Sequence, residues 1–359
     1  MARDHRLTLE QSKRITRARV LGTGREINIS LEDRELAKLL TVIAVDNGRP
    51  DLAANLPALP EAARGDYYKI PLSWFTEQPA TFDFTTQYLK FAESHLTDFE
   101  TYFECLCELH KRRRKYAIIL SAQPLPTSVQ VAPRALLEFG GLPAEALASW
   151  LTWRKWFFDI DNRAGQETGY LFEPILASSL GGTPFSASRS PIRRSKDGSK
   201  GRQVDCIVAK DAYEFKLRVT IAASGQGRFG EEVDFAVDAR ASGYRPILLV
   251  LDPTPNQRLA DLKEAFEDAD GVAYIGDSAW EHLEHEAGRT MATFVERYVR
   301  RPIADVAVHA PTLLNLFASA SPDRKTFSFK LVNDHTGHEW QVARTENPKL
   351  ETSSDPEEE

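Results

Sequence analysis

Apolar residues in the first part of the chain recur three and four positions apart, the spacing of helices that bury one face. The segments Leu31 to Val45 and Gln87 to His110 show this spacing most clearly, and loops rich in Pro and Gly separate them. We therefore predict a mainly helical region over residues 1–150. Just beyond it, Trp153, Trp156 and Phe157 keep the helical spacing, which favours packing into a core over stacking on bases.

A further helix is predicted at residues 169–180. Gly169 to Leu180 is amphipathic, and Gly181-Gly182 after it is a common helix stop. Because proline is tolerated only in the first turn of a helix, Pro174 predicts that the regular part begins close to Glu173. Glu173 shares its stripe with apolar neighbours, so we expect its carboxylate to be partly buried and to need a partner.

From residue 203 onward the period changes to two, which is typical of strands. Gln203 to Val208 and Ala212 to Val219 predict a hairpin with residues 209–211 in the turn. The elements expected next are a helix (Phe229 to Ser242), a buried strand (Pro246 to Leu251), a helix capped by Thr254 (Pro255 to Ala269), a short strand (Val272 to Ile275) and a long helix (Ser278 to Val299). This order predicts an α/β fold, a mixed sheet covered by helices.

Length and composition are those of a folded protein with about two domains. The chain has 359 residues, of which 42% are apolar and 27% charged, so it is neither intrinsically disordered nor a fibrous protein. We expect three regions, at residues 1–150, 151–310 and 311–359. The last holds a hairpin of Thr326 to Val332 with Glu339 to Ala343, followed by an acidic tail that we expect to be disordered.

The charge of the chain is distributed unevenly. Forty-five Lys and Arg face 52 Asp and Glu, giving −7, and five of the acids lie in the last nine residues. The remaining body is close to neutral, so local basic patches can still bind an anionic partner. One basic run, His110 to Lys115, is expected to end a helix and to stay solvated.

Cysteine usage and hydropathy bear on the compartment. The chain has three cysteines and no CxxC pair, which indicates a reducing environment. Its first residues are charged, and its longest apolar runs are too short to span a bilayer. We therefore expect a soluble, cytoplasmic protein without a membrane partner.

One strand of the predicted hairpin carries charge on a single face. Within Ala212 to Val219, a period of two places Glu214, Lys216 and Arg218 on the same side. Asp205 on the preceding strand returns through the tight turn, so Asp205, Glu214 and Lys216 are predicted to converge at one end of the hairpin. An exposed sheet face would explain the same charges without any function.

Two carboxylates and an ammonium group in one place can cleave a phosphodiester bond. The oxygens of Asp205 and Glu214 suit Mg²⁺, which keeps several waters and accepts a phosphate oxygen as a further ligand. Such an ion polarises the phosphoryl group and lowers the pKa of a bound water. Lys216 beside it can orient the attacking water and stabilise the charge of the transition state.

The pattern resembles the PD-(D/E)xK nuclease superfamily, and within it the type II restriction endonucleases. Asp205 is followed, after eight intervening residues, by Glu214-Phe215-Lys216, although Val204 stands where the motif often has Pro. The resemblance covers roughly residues 165–299 and implies a restriction-endonuclease-like core. It also implies a helix acid near the metal, for which Glu173 is the candidate and Glu167 its rival. Only one strand clearly precedes Glu214, so either the first strand of that core is expected within residues 183–202, or residues 203–208 are its second strand.

A strongly basic loop precedes the hairpin, at residues 183–202. A nuclease holds the DNA backbone through several phosphate contacts, and Arg and Gln side chains also read guanine and adenine. The expected DNA-contacting residues are Arg189, Arg193, Arg194, Lys196, Lys200, Arg202, Gln226 and Arg228. For any single one of them, an ordinary solvated side chain is the alternative.

Two other functions fit parts of the pattern. GxGxxG at residues 225–230, with Asp252 ending the next strand, is typical of a dinucleotide-binding oxidoreductase. Against it, Glu231 and Glu232 place two carboxylates where a pyrophosphate would sit, and too few strands follow. A non-catalytic DNA-binding protein on the same scaffold is the second alternative.

We interpret the chain as an Mg²⁺-dependent endonuclease that cuts double-stranded DNA at specific sites, a type II restriction enzyme. The predicted catalytic residues are Asp205, Glu214, Lys216 and Glu173, with Asp205 and Glu214 as the metal ligands. Residues 151–310 would form the nuclease core, and residues 1–150 would recognise DNA or mediate dimerisation. The resemblance implies a homodimer, since two strands need two active sites, and a cognate DNA methyltransferase as genetic partner.

Overall fold

The computed structural model describes residues 6–21, 27–63, 65–77, 83–217 and 226–345, with residues 226–228 described by their backbone alone. Some predicted features lie outside the described residues, namely Arg218, Gly225, the acidic tail and the side chains of Gln226 and Arg228.

Helices occur along the whole described chain. They are α1 (Leu9–Arg19), α2 (Asp33–Asp46), α3 (Leu72–Thr76), α4 (Phe84–Ala92), α5 (Phe99–Ala122), α6 (Ser128–Val131), α7 (Ala144–Ser179), α8 (Gln226–Ala241), α9 (Gln257–Asp268), α10 (Asp277–Glu286), α11 (Gly288–Val295) and α12 (Arg301–His309). Short 3-10 helices lie at Pro50–Ala53, Glu61–Ala63, Tyr67–Lys69 and Ala132–Leu137, and a π-helical turn at Glu296–Arg300.

The strands of the described residues form four separate sheets. They are β1 (Val20–Leu21), β2 (Ile29–Ser30), β3 (Thr183–Phe185), β4 (Arg193–Arg194), β5 (Asp197–Gly201), β6 (Val204–Val208), β7 (Asp211–Lys216), β8 (Arg245–Val250), β9 (Val272–Ile275), β10 (Asn315–Ala320), β11 (Thr326–Val332) and β12 (Gly337–Ala343). The chain is thus a mixed α/β protein, which confirms the predicted fold class.

The chain folds into two compact units. Unit 1 comprises Met1–Tyr88, Leu106–Thr168 and Val308–Glu359, and unit 2 comprises Leu89–Cys105 and Gly169–Ala307. The functional division at residues 150 and 310 stays a prediction.

In unit 1, the aromatic residues at helical spacing pack into a core, as predicted. Trp156 is buried and its ring stacks on Phe329 of β11, with the ring centroids 5.8 Å apart. Trp153 meets Phe327 edge-on at 5.1 Å. The predicted hairpin of β11 and β12 is confirmed, and β10 adds a third antiparallel strand to it.

Unit 2 contains the five-stranded sheet, with strand order β3-β6-β7-β8-β9. The pairs β3/β6 and β6/β7 are antiparallel, whereas β7/β8 and β8/β9 are parallel. Strand β8 is apolar throughout its buried residues, as expected of a strand covered on both faces. Because β3 pairs with β6, the first strand of the core lies within residues 183–202, which was one of the two predicted arrangements.

One face of the sheet packs against helices α8 and α9. Phe235, Ala236 and Ala239 of α8 form a core with Leu248 and Val250 of β8. Helix α9 contributes its buried residues Leu259, Leu262 and Phe266 to the same cluster. These contacts fix α8 against the strand that precedes it in the chain, β7, and the strand that follows it, β8.

The prediction that helix α7 begins near Glu173 was wrong. The helix is continuous from Ala144 to Ser179 and contains Pro174 in its interior. A proline there removes the hydrogen bond to the carbonyl four residues earlier. Pro174 is exposed, so that carbonyl lies on the side of the helix where water can satisfy it. The predicted stop was right, since Gly181 has φ of 66° and Gly182 N–H donates to the Ala177 carbonyl.

The predicted boundaries of two later helices were also wrong. Helix α9 is capped by Asn256 and not by Thr254, because the Asn256 side chain accepts from Leu259 N–H at 2.9 Å. The expected long final helix is interrupted at Gly288, whose φ of 66° lies in the left-handed region. The chain continues after it as α11, the π-helical turn and α12.

The basic run at residues 110–115 does not end a helix and is not fully solvated. It lies inside α5, where His110, Lys111 and Lys115 are buried. The Lys111 ammonium donates to the Arg17 and Val20 carbonyls at 3.0 Å, and Lys115 pairs with Glu167 at 2.6 Å. Buried charges are tolerated here because each of these lysines has a partner.

Gly182 sits where the chain leaves α7 and approaches strand β6. A Cβ atom at this position would overlap Cys206 Sγ and lie 2.9 Å from the Ile207 carbonyl oxygen. Only glycine therefore allows the two segments to pack at this distance. No helix of the described residues is both long and apolar enough to cross a membrane.

Candidate active site

The hairpin of β6 and β7 places Asp205 beside the strand that carries Glu214. Cys206 pairs with Tyr213 in the antiparallel register, so Asp205 lies level with Glu214 at the open end of the hairpin. The Asp205 carboxylate accepts from the Phe215 backbone N–H at 2.8 Å, which fixes one of its oxygens. This contact is possible because the two-residue turn at 209–210 keeps the strands in register.

The alternation of β7 separates charged from apolar side chains, as predicted for its described residues. Tyr213 and Phe215 are buried, whereas Glu214 and Lys216 are half-buried on the opposite side. Lys216 Nζ lies 2.8 Å from Glu214 Oε1. The structure therefore gathers Asp205, Glu214 and Lys216 at one point, and all three line the same cleft.

A third carboxylate, which the sequence analysis did not assign to this site, also contacts the lysine. Glu232 Oε1 of α8 lies 3.0 Å from Lys216 Nζ. Glu232 shares its helical stripe with Phe235, Ala236 and Ala239, the residues that pack on the sheet. The signal was present in the sequence, because an acid at this spacing from three apolar residues must face the sheet.

Burial and charge shift the pKa values of two of these groups. Burial raises the pKa of Asp205 well above its usual value, and the negative charges of Glu214 and Glu173 raise it further. For Lys216, burial lowers the pKa, but the charges of Glu214 and Glu232 outweigh it and the pKa lies above its usual value. The lysine is therefore protonated. It is a single positive charge beside the carboxyl groups of Asp205, Glu214 and Glu232.

The two candidates for the helix acid have different surroundings. Glu167 is buried and accepts from Arg112 at 2.9 Å and Lys115 at 2.6 Å. Glu173 is half-buried in unit 2, and its charge acts on Asp205. Of the two, Glu173 is the acid whose charge acts on Asp205, and its catalytic role stays a prediction.

The cleft around these residues has a volume of about 390 Å³. It is open to solvent, and it is lined on one side by the strands and on another by the start of α8 and the basic loop. Its lining residues are Ala187, Arg194, Arg202, Gln203, Asp205, Glu214, Lys216, Glu231, Glu232 and Phe235. Acidic and basic side chains thus line the same cleft, so a cation and a phosphate group could bind there together.

Part of the predicted basic loop is a short antiparallel ribbon of β4 and β5. Three of its cations are paired with acids of α8. Arg194 lies 2.8 Å from Glu231, Lys196 lies 2.5 Å from Asp234, and the buried Arg202 donates to Asp238. Asp238 also accepts from Ser195 N–H at 2.6 Å. These contacts attach the ribbon to the helix.

The other predicted DNA-contacting residues of the loop, Arg189, Arg193 and Lys200, are exposed. Arg189 and Arg193 have no carboxylate within ion-pair distance among the described residues. Lys200 is exposed and pairs only loosely, at 3.2 Å, with Asp197 of its own strand. Arg193, Arg194 and Lys200 line a shallow depression of about 510 Å³ that shares Ala187 and Arg194 with the cleft around Asp205, Glu214 and Lys216.

The GxGxxG pattern does not form a phosphate-binding turn over its described part. Residues 226–230 already belong to helix α8, so Gly227 and Gly230 lie inside a helix. A dinucleotide fingerprint needs its glycines in the turn before the helix. The dinucleotide-binding alternative therefore loses its structural basis.

The chemistry of the donor set fits a hard divalent cation. Asp205 and Glu214 supply carboxylate oxygens, and the pKa of Asp205 is raised by burial and by the negative charge of its neighbours, which such an ion would offset. No group of three or more His, Cys, Asp and Glu side chains within the described ranges forms a complete metal site. Two carboxylates would leave the remaining positions to water and phosphate oxygens, the usual environment of Mg²⁺.

Comparison with known proteins agrees with this geometry. The ApaLI-like restriction endonuclease family matches residues 62–300 of the chain. The type II restriction enzyme ApaLI of Acetobacter pasteurianus is 53% identical over 319 residues, which is 86% of this chain and 85% of that enzyme. No solved structure matches the chain. The chain is therefore a type II restriction endonuclease and belongs to the ApaLI-like restriction endonuclease family.

Proposed function

We propose that the enzyme hydrolyses phosphodiester bonds of double-stranded DNA with the help of Mg²⁺ held by Asp205 and Glu214. The observation that carries this proposal is the meeting of Asp205, Glu214 and Lys216 in one open cleft. A metal ion bound there would polarise the phosphoryl group and lower the pKa of a water molecule. Glu173 would act on the same site through its charge.

The protein's own residues would hold and orient the reacting groups. Asp205 is fixed by the Phe215 N–H, so its second oxygen can face the cleft. Lys216 is charged and can donate to the attacking water or to a phosphate oxygen. Because this donation matters most as charge develops, loss of Lys216 should lower turnover far more than DNA affinity.

The basic loop would bind the DNA backbone. Its exposed cations Arg189, Arg193 and Lys200 are supported by position and by charge, since Arg193 and Lys200 line the depression beside the cleft. Arg194, Lys196, Gln226 and Arg228 remain in the proposed contact set. Arg202 would contribute mainly by holding the ribbon, because its side chain is buried against Asp238.

Cutting both strands of a duplex calls for two active sites. We therefore propose a homodimer that acts on a two-fold symmetric DNA site, with a DNA methyltransferase that protects the host as genetic partner. Such a pair of enzymes would work in the cytoplasm, where the DNA is.

A plasmid cleavage assay tests the proposal. The purified enzyme is incubated with plasmid with and without Mg²⁺, and the Lys216→Ala variant is assayed in parallel. We expect metal-dependent linear products from the wild type and a loss in kcat of about 100-fold or more for the variant, with DNA affinity retained. Equal cutting in EDTA, or full activity of Lys216→Ala, would overturn it.

A further inference from the structure

Glu232 of helix α8 has no assigned role, yet it touches the proposed catalytic lysine. Lys216 Nζ lies between two carboxylates, 2.8 Å from Glu214 Oε1 and 3.0 Å from Glu232 Oε1. Glu214 reaches the lysine from the same strand, whereas Glu232 reaches it from the helix packed on the sheet. Two independent elements thus hold one ammonium group.

The position of Glu232 would suit an apolar residue better if only packing mattered. Its stripe on α8 continues with Phe235, Ala236 and Ala239, which are all buried in the core of unit 2. The second oxygen, Glu232 Oε2, is itself buried and has no hydrogen-bond partner among the described residues. Leaving a buried acceptor unpaired is unfavourable, so a purely structural role does not account for this acid.

Under the proposed function, the Glu214 carboxylate binds both Lys216 and a metal ion, and it cannot bind both equally well. In the structure its Oε1 accepts from Lys216, but under the proposed function the same carboxylate binds a divalent cation. A carboxylate that turns toward a metal weakens its hold on the lysine. Without a second acceptor, the flexible Lys216 side chain would no longer be held in the position that the proposed reaction requires.

We infer that Glu232 is the positioning residue for Lys216: it holds the ammonium group in the cleft when Glu214 engages the metal. This inference rests on the proposed function of Lys216 and adds to it the residue that orients the lysine. Glu232 acts through Lys216 and does not touch the DNA or the reacting water.

A different role, that of a third metal ligand, is less well supported. Asp205, Glu214 and Glu232 line the same cleft, but they are not arranged as a three-carboxylate metal site within the described part of the chain. The oxygen of Glu232 nearest the site is already occupied by the lysine. The two roles also predict different responses to Mg²⁺ concentration, so one set of assays separates them.

The experiment compares Glu232→Leu, which removes the acceptor, with Glu232→Gln, which keeps an acceptor oxygen without charge. Glu264→Gln, at an exposed position of α9, controls for the loss of one negative charge. For each variant we would measure kcat and KM for plasmid DNA, the Mg²⁺ concentration for half-maximal rate, and the thermal midpoint. We expect Glu232→Leu to lower kcat by about 10–100-fold, Glu232→Gln by less, and neither to change KM or the Mg²⁺ requirement.

A double variant makes the inference specific. If Glu232 acts through Lys216, then Glu232→Leu should lower the rate no further in a Lys216→Ala background. Additional loss in that background, or a kcat restored by extra Mg²⁺, would overturn the positioning role, as would wild-type kinetics of Glu232→Leu. Failure of the proposed function itself would show differently, as full activity of Lys216→Ala.

Discussion

Under the proposed function, catalysis and stability make opposite demands on Asp205. Its carboxylate must be ionised to bind a cation, but burial and the charges of Glu214 and Glu173 favour the neutral form. Ionisation of Asp205 in the metal-free protein therefore lowers the stability of the fold. Active sites are often destabilised in this way, and removal of the charge stabilises the fold.

We predict that Asp205→Asn abolishes cleavage and makes the metal-free protein more stable. Asparagine keeps an acceptor for the Phe215 N–H but has no charge to desolvate. The free energy of unfolding in EDTA at neutral pH should rise by about 0.5–2 kcal/mol, measured by urea denaturation. Glu264→Gln should leave it unchanged, and a less stable Asp205→Asn would contradict the prediction.

The same shift predicts how stability depends on pH. A carboxyl group whose pKa is raised by folding binds its proton more tightly in the folded than in the unfolded chain. The stability due to the neutral form is therefore fully present below the ordinary pKa of about 4 and is lost as the pH rises through the raised pKa.

We thus expect the stability gap between Asp205→Asn and the wild type to be small in acid and to widen as the pH rises, in EDTA. Saturating Mg²⁺ should narrow the gap at neutral pH, because the ion stabilises only the wild type. Thermal unfolding of the wild type and Asp205→Asn from acid to neutral pH measures this difference in stability. A gap that does not change with pH would show that Asp205 has an ordinary pKa.

At this scale, the sequence was enough to bring together the central groups but not the residues that hold them. A period of two placed Glu214 and Lys216 on one face, and the tight turn placed Asp205 beside them. The sequence alone predicts that Glu232 lies at the start of a helix, where its carboxylate disfavours a bound pyrophosphate. Its contact with Lys216 depends on how α8 packs on the sheet, which residue order alone does not give.

At the scale of elements, helix α8 organises both the cleft and the basic ribbon. One of its faces packs on the sheet and carries Glu232, and another carries Glu231, Asp234 and Asp238, which bind the ribbon of β4 and β5. The sequence predicts a strongly basic loop because this segment contains six cations. The acids of α8 that pair with three of these cations lie about 35 residues later in the chain, and local sequence patterns do not reveal such long-range pairs.

We predict that the Arg202 and Asp238 pair holds the ribbon in place. Their side chains are only 8% and 3% exposed, so removing one partner leaves a buried charge without compensation. Arg202→Ala should lower the free energy of unfolding by about 3–5 kcal/mol in urea denaturation. Lys200→Ala, whose partner Asp197 is exposed, should change it by less than about 0.5 kcal/mol. Equal effects of the two changes would contradict this assignment.

A second prediction concerns DNA binding by the exposed cations of the ribbon. Arg193→Ala and Lys200→Ala should each weaken DNA binding and reduce the slope of log affinity against log salt by about 1, because one phosphate contact is lost. Fluorescence anisotropy in EDTA at several salt concentrations measures both. Lys263→Ala on α9 is the control, and an unchanged slope in the ribbon variants would remove them from the interface.

The bounds of helices and strands show where tertiary contacts outweigh local sequence preferences. Strand β9 was predicted residue for residue, and β8 within one residue at each end. In contrast, α7 passes through Pro174, because its exposed position tolerates the lost hydrogen bond and the surrounding helix is long. The prediction that the basic run at residues 110–115 forms a solvated helix end was wrong because its partners, such as Glu167 and the Arg17 carbonyl, are distant in sequence.

At the scale of the whole molecule, the proposed homodimer needs a surface. The 3-10 helix at Ala132–Leu137 and the turn after it expose large apolar residues, with Leu137 94% and Phe139 67% exposed. Exposed apolar clusters often mark interfaces, and a second copy of the chain is the partner that the cutting of two strands requires.

We predict that the enzyme sediments as a dimer and that Leu137→Asp with Phe139→Asp shifts it toward the monomer, at least tenfold in the dissociation constant. Charged groups at these positions would have to be desolvated on association. Analytical ultracentrifugation measures the equilibrium, and a plasmid assay follows nicked against linear product. A monomeric wild type would refute the dimer, and dissociation by Leu313→Asp alone would place its interface elsewhere.

The tight passage at Gly182 has a consequence for how this enzyme tolerates change. The backbone there lies directly against the strand that carries Asp205, with space for a hydrogen atom but not for a methyl group. Alanine at this position would push Cys206 and its neighbour out of register. We therefore expect Gly182→Ala to displace the strand that carries Asp205 and to lower DNA cleavage, although Asp205, Glu214 and Lys216 would all still be present.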